Sequence, residues 1–162
     1  NMDIYEYAMQ MEKDGETYYR ELAGKVDNKG LKKIVTMLAN AEVIHYNVFL
    51  KMKMNQGIHL TDTPILSNAK NIFTKMKEEK DTFGVNVSYV GLYKKAQEIE
   101  KKSQIFYLEK ADEVNIPSQR EIFLKIAEEE NKHYFILENI INFVSRPQTW
   151  LENAEWYHLE EY

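Results

Sequence analysis

Hydrophobic and polar positions along this chain repeat with helical spacing over four long stretches. In residues 3–24 apolar or small side chains recur at Ile4, Ala8, Met11, Gly15, Tyr18 and Leu22, which predicts a first helix. Gly24 and the run Asp27-Asn28-Lys29-Gly30 break it, and a second helix is expected over 31–55. Residues 56–86 contain Gly57, Pro64 and Gly84 and read as a connector, with Ser67 placed to cap a short helix through Glu79. A third long helix is expected over 88–114. Pro117 and the spacing Ser118…Glu121, a capping box, open a fourth that runs to about Ser145, before Pro147.

Two of these helices carry a strict seam. Leu31, Val35, Leu38, Glu42, His45, Phe49 and Met52 alternate steps of four and three, and so do Gln119, Phe123, Ile126, Glu130, His133, Leu137 and Ile140. That is the heptad pattern of a bundle helix, so the acids and imidazoles in the middle of each seam face the core. Unpaired buried carboxylates cost several kcal/mol each, and two divalent cations would compensate this group directly. Spacing of i, i+3 puts each Glu and its His on one helical face. The other two helices have the seams Tyr5, Ala8, Glu12, Gly15, Tyr19, Leu22 and Tyr93, Ala96, Glu100, Ser103, Tyr107, each with a single acid beside small residues. Gly15 costs a helix about 1 kcal/mol relative to Ala, and room beside a carboxylate is a reason for it. Tyr19 and Tyr107 stand two turns from their Glu, in reach of ligand carboxylates across the bundle, which they would orient.

The chain also matches itself. At an offset of 88, without a gap, 13 identities fall in the 51 residues from Tyr5 to Asn55, including Glu12/Glu100, Tyr19/Tyr107, Glu42/Glu130 and His45/His133. Chance at average composition gives roughly three. Each half thus supplies Glu, then Tyr, then Glu-x-x-His. Short links make each helix pair antiparallel, and the connector is long enough to return along the bundle. The expected fold is all-α: a ferritin-like four-helix bundle, residues 1–146, with one long crossover and a short C-terminal helical tail, 147–162. The aromatic tail, with Trp150, Ala154 and Tyr157 on one face, is expected to pack on the bundle or on a second subunit in a homodimer.

Composition narrows the chemistry. The chain has 162 residues, enough for one core, with 29% charged residues and a net charge of -5, so it carries no basic footprint for nucleic acid. No apolar run nears the ~20 residues of a membrane span, no signal peptide is expected, and a cytoplasmic location is the default. Cysteine is absent, which removes thiolate zinc and iron–sulfur sites and leaves Glu, Asp and His as metal donors.

The stretches Met11 to Tyr19, Ile99 to Tyr107, Leu38 to His45 and Ile126 to His133 resemble the helices of the rubrerythrin branch of the ferritin-like family, over residues of about 3–145. The resemblance implies that Glu12, Glu42, His45, Glu100, Glu130 and His133 hold two iron ions, with Glu42 and Glu130 bridging; Mn or Zn would suit the same donors. It also implies an oxidoreductase that reduces hydrogen peroxide or dioxygen. Ferroxidase or iron-binding activity and a metal-stabilised structural bundle are the alternatives. Rubrerythrins carry a cysteine-ligated rubredoxin domain; this chain has no cysteine, so electrons would come from an external donor, rubredoxin-like or a reductase. They also carry an additional Glu three residues after the third-helix ligand, where this chain has Ser103.

Overall fold

The computed structural model describes residues 3–58, 60 and 63–152. Six helices are formed among them: α1 (Ile4–Lys25), α2 (Lys29–Lys53), α3 (Ile65–Glu79), α4 (Val90–Glu113), α5 (Pro117–Ser145) and α6 (Pro147–Glu152), with a single 3-10 turn, Val87–Tyr89, leading into α4. The all-α bundle expected from the spacing is what forms. α1 pairs with α2 and α4 with α5 as antiparallel hairpins, and α1 faces α4 while α2 faces α5.

The seams become the buried faces. α1 buries Ala8, Glu12, Gly15, Tyr19 and Leu22, and α4 buries Tyr93, Ala96, Gln97, Glu100, Ser103, Tyr107 and Ala111. The seam positions Tyr5 and Gln119, by contrast, are half-buried at one end of the bundle and joined by a hydrogen bond from the Tyr5 hydroxyl to Gln119 Oε1, 2.7 Å. Two apolar clusters divide the interior lengthwise. One holds Leu22, Leu31, Val35, Tyr93, Ile136 and Ile140; the other holds Ala8, Phe49, Met52, Tyr107, Phe123 and Ile126. The ionisable seam residues lie between them.

The crossover does more than connect. α3 lies against both α2 and α5, and its Ile65, Leu66, Ala69, Phe73 and Met76 are buried. Its last turn reaches the start of α2, so closely that a Cβ on Gly30 would meet Met76 Sδ. α3 therefore runs back along the bundle and returns the chain to the end from which α2 started, which leaves α4 parallel to α2. Asn28 ties the two ends together. Its Oδ1 caps α2 by accepting from the Leu31 N–H (3.0 Å), and its Nδ2 donates to the Phe83 carbonyl (2.8 Å), just beyond α3.

Two local expectations are corrected. Ser67 does not cap the crossover helix: α3 begins at Ile65 with no side-chain cap, and the Ser67 hydroxyl donates to the Pro64 carbonyl instead. The capping box at Ser118 does not form either. Pro117 starts α5 after Ile116, again without a side-chain cap. The Arg120 guanidinium occupies this corner, donating to the carbonyls of Ala111 (3.2 Å) and Val114 (3.0 Å) at the end of α4. Of the tail expected over 147–162, only the part up to Glu152 is described. Trp150 is buried against Phe73 and Phe143, ring centroids 4.9 and 5.6 Å away. Ala154 and Tyr157, the rest of the face expected there, lie outside the described residues.

Candidate metal centre

Glu12, Glu42, His45, Glu100, Glu130 and His133 converge at mid-bundle, each at most 3% exposed. They form two overlapping groups. Ligand atoms of Glu12, Glu42, His45 and Glu130 all lie within 4.8 Å of one another, and so do those of Glu42, Glu100, Glu130 and His133. Glu42 and Glu130 belong to both. Each group thus draws on one acid of α1 or α4 and one Glu-x-x-His, with the shared acids between, and the two imidazoles stack nearly parallel, 6.0 Å apart at 10°.

The donor atoms fit a cation better than they fit each other. Glu12 Oε2, His45 Nδ1, Glu100 Oε2 and Glu130 Oε1 are fully buried, yet none has a hydrogen-bond partner among the described residues. His45 Nδ1 approaches Glu130 Oε1 to 3.0 Å and Glu12 Oε1 to 3.4 Å without hydrogen-bond geometry. Buried polar atoms are nearly always paired, so four unpaired atoms within these two groups make them a candidate site for ions. Oxygen-rich donors with one imidazole each suit Fe, Mn or Zn.

Tyr19 and Tyr107 brace the acids crosswise. The Tyr19 hydroxyl of α1 donates to Glu100 Oε1 of α4 at 2.5 Å, and Tyr107 of α4 donates to Glu12 Oε1 of α1 at 2.9 Å. Burial, followed by the nearest acid (Glu100 for Tyr19, Glu12 for Tyr107), pushes both phenols well above their ordinary range, so they remain donors. Gly15 has the role its place on the seam suggested, since a Cβ there would stand 3.1 Å from Glu42 Oε2.

Electrostatics follow from burying four carboxylates together. Burial, reinforced first by Glu12, drives Glu42 well above the usual carboxylate range; burial and then Glu100 do the same to Glu130. Burial also works against charge on Glu100, but the His133 charge, the neighbouring Glu130 and hydrogen bonds from His133 and Tyr19 outweigh it and hold that group down at about 2. Burial opposes the charged form of His45 as well; the nearby Glu12 carboxylate, with the hydrogen bond to Glu129 and its charge, prevails and raises it. Metal-free, the centre stores protons that an ion would displace.

One member was not visible as such in the sequence. Glu129, 3% exposed, places Oε2 2.6 Å from His45 Nε2. Within Glu128-Glu129-Glu130 it lies off the seam, and it aligns with Ala41 in the other half. That break in the duplication was its only signal. Ser103 is buried one turn beyond Glu100. It lines a groove of about 390 Å³ between α1 and α4, together with Tyr7, Met11, Asp14, Tyr18 and Ile99. The nearest spare acids do not replace the family's extra Glu. Glu16 is paired with Lys13 and Arg20, and Glu98 is exposed.

A four-helix bundle with one crossover and a doubled Glu plus Glu-x-x-His set defines a ferritin-like protein with the donor set of a carboxylate-bridged two-metal centre. The chain belongs to the rubrerythrin family, whose sequence model matches residues 3–141. No curated protein and no solved structure matches it. No helix among the described residues is long and apolar enough to cross a membrane.

Proposed function

We propose that this protein is a di-iron oxidoreductase that reduces hydrogen peroxide, or dioxygen, with electrons from an external donor. The observation that carries the reading is the pair of overlapping donor groups sharing Glu42 and Glu130, buried in a rubrerythrin-family bundle. Glu12, Glu42, His45 and Glu130 would hold one ion, and Glu42, Glu100, Glu130 and His133 the other. Two ferrous ions bound there would supply the two electrons that, with two protons, turn one peroxide into two waters.

The chain's own residues prepare that reaction. Tyr19 and Tyr107 fix the terminal acids Glu100 and Glu12, and the two apolar clusters keep bulk water from both ends of the centre. A small oxidant would approach along the α1–α4 groove, which Ser103, one turn beyond Glu100, helps to line. These 162 residues hold no cysteine, so the resetting electrons would come from outside the bundle, from a rubredoxin-like donor or a reductase.

Stopped-flow mixing of the anaerobic di-ferrous protein with peroxide and with dioxygen tests the proposal. Oxidation by peroxide much faster than that of free ferrous ion, with iron retained at two per chain, is the expected result. Oxidation no faster than free ferrous ion overturns it. Continued uptake of ferric iron beyond two ions per chain would replace it with a ferroxidase role.

A further inference from the structure

The two halves of the centre are nearly equivalent in their inner donors but not around them. His45 Nε2, the ring nitrogen facing away from the acids, meets Glu129 Oε2 at 2.6 Å, and Glu129 Oε1 accepts from the Thr63 hydroxyl at 3.2 Å. Glu129 is thus gripped from two sides, by α2 and by the crossover. His133 faces Glu100 and Glu42 with Nδ1, at 3.3 and 3.7 Å, just as His45 faces Glu12 and Glu130 with its own. Its Nε2 is buried with no hydrogen-bond partner among the described residues. The position matching Glu129 in the other half is Ala41, whose methyl group accepts nothing.

From this contrast we infer that Glu129 is a positioning residue that makes the two metal positions unequal, so that the ion on the Glu12–His45 side binds first and more tightly. The inference rests on the metal reading of the centre and not on the identity of the oxidant. A carboxylate accepting the outer N–H of a ligating imidazole fixes its tautomer and orientation and raises its donor strength, and loss of such a partner lowers metal affinity about 10–100-fold. His45 has that support, and His133 has none among the described residues. Thr63 extends it to the crossover, so the loop that closes the bundle also orients one ligand.

Anaerobic titration of the metal-free protein with Co2+, followed by calorimetry and visible absorption, tests the inference. Wild type is expected to bind two ions in separate steps. Repulsion between ions sharing Glu42 and Glu130 also separates steps, so the diagnostic is which step each variant moves. Glu129→Ala is expected to weaken the tighter step about 10–100-fold and leave the other in place, while Glu129→Gln, still an acceptor but uncharged, recovers part of the loss. Thr63→Val, which leaves the centre intact, moves the same step the same way by less, and serves should Glu129→Ala not fold. Proton NMR of the Co2+-loaded protein is expected to show one slowly exchanging imidazole N–H, lost in Glu129→Ala. Unchanged titrations in all three variants, or equal weakening of both steps, would overturn the inference and leave the metal reading standing. Failure of wild type to bind Co2+ would overturn both.

Discussion

Gly15 has no side chain, and a methyl group built there would stand 3.1 Å from Glu42 Oε2 and 3.2 Å from its Cδ. Two effects then oppose each other. Alanine gains about 1 kcal/mol of helix propensity over glycine, while the Glu42 carboxylate must retreat by a few tenths of an ångström. Without metal that carboxylate is free to turn; bound between two ions it is not. Gly15→Ala is therefore expected to raise the stability of the metal-free protein by up to about 1 kcal/mol in chemical denaturation. The same variant is expected to bind Co2+ more weakly in titration. Weaker stability together with unchanged affinity would refute this account of Gly15. Its place on the seam pointed to space beside an acid; that the acid is Glu42 of the neighbouring helix came only from the packing of α1 on α2.

At the scale of elements, Asn28 ties the far end of the crossover to the start of α2. Asn28 is completely buried and uses both ends of its amide, as cap of α2 and as donor to Phe83. Asn28→Asp keeps the cap but loses the donor, and turns a carboxylate toward Asp81, whose Oδ1 lies 3.4 Å from the amide nitrogen. A buried acceptor left unpaired costs about 2 kcal/mol, and denaturant titration is expected to show at least that loss. A change below a few tenths would refute it. The four long helices were legible because each has a continuous seam. The starts of α3 and α5 were not, because these helices begin after Pro64 and Ile116 without the side-chain caps that the local sequence offered. The width of the buried face of α5 was also hidden. Glu129, Asn139, Ile141 and Phe143 lie off its seam and are buried, and α3 and α6 both pack against that helix.

For the whole molecule, the centre sets how stability depends on pH. Glu42 and Glu130 are raised in the fold, so folding is unopposed by them below their ordinary value of 4.5 and increasingly opposed as pH rises above it. His45 is raised too, and its stabilisation is complete below 6.5 and lost as pH climbs through its folded value. Glu100 and Glu129 are lowered, so their contribution is lost only in acid and is constant well above 4.5. All the raised groups act in one direction. The melting temperature of the metal-free protein is expected to fall between about pH 5 and pH 8, whereas metal affinity rises over the same range because ions displace those protons. Thermal melts with and without chelator across that range check both; a metal-free melting temperature that rises with pH would refute the first.

Periodicity alone determined that this chain forms four core-facing helices, because burial of one helical stripe requires apolar side chains at steps of three and four. The internal repeat, with acids and imidazoles on those stripes, brought out six of the centre's residues and the two tyrosines, since charge in the middle of a buried seam needs a partner. Tertiary structure alone decided which tyrosine braces which carboxylate, and that Glu129 supports His45 while His133 has no such partner among the described residues. Those are contacts between residues on different helices, among them pairs 81, 95 and 84 positions apart. No local pattern encodes such a pairing; it follows from how α1 packs on α2, how α4 packs on α5, and where the crossover lays Thr63.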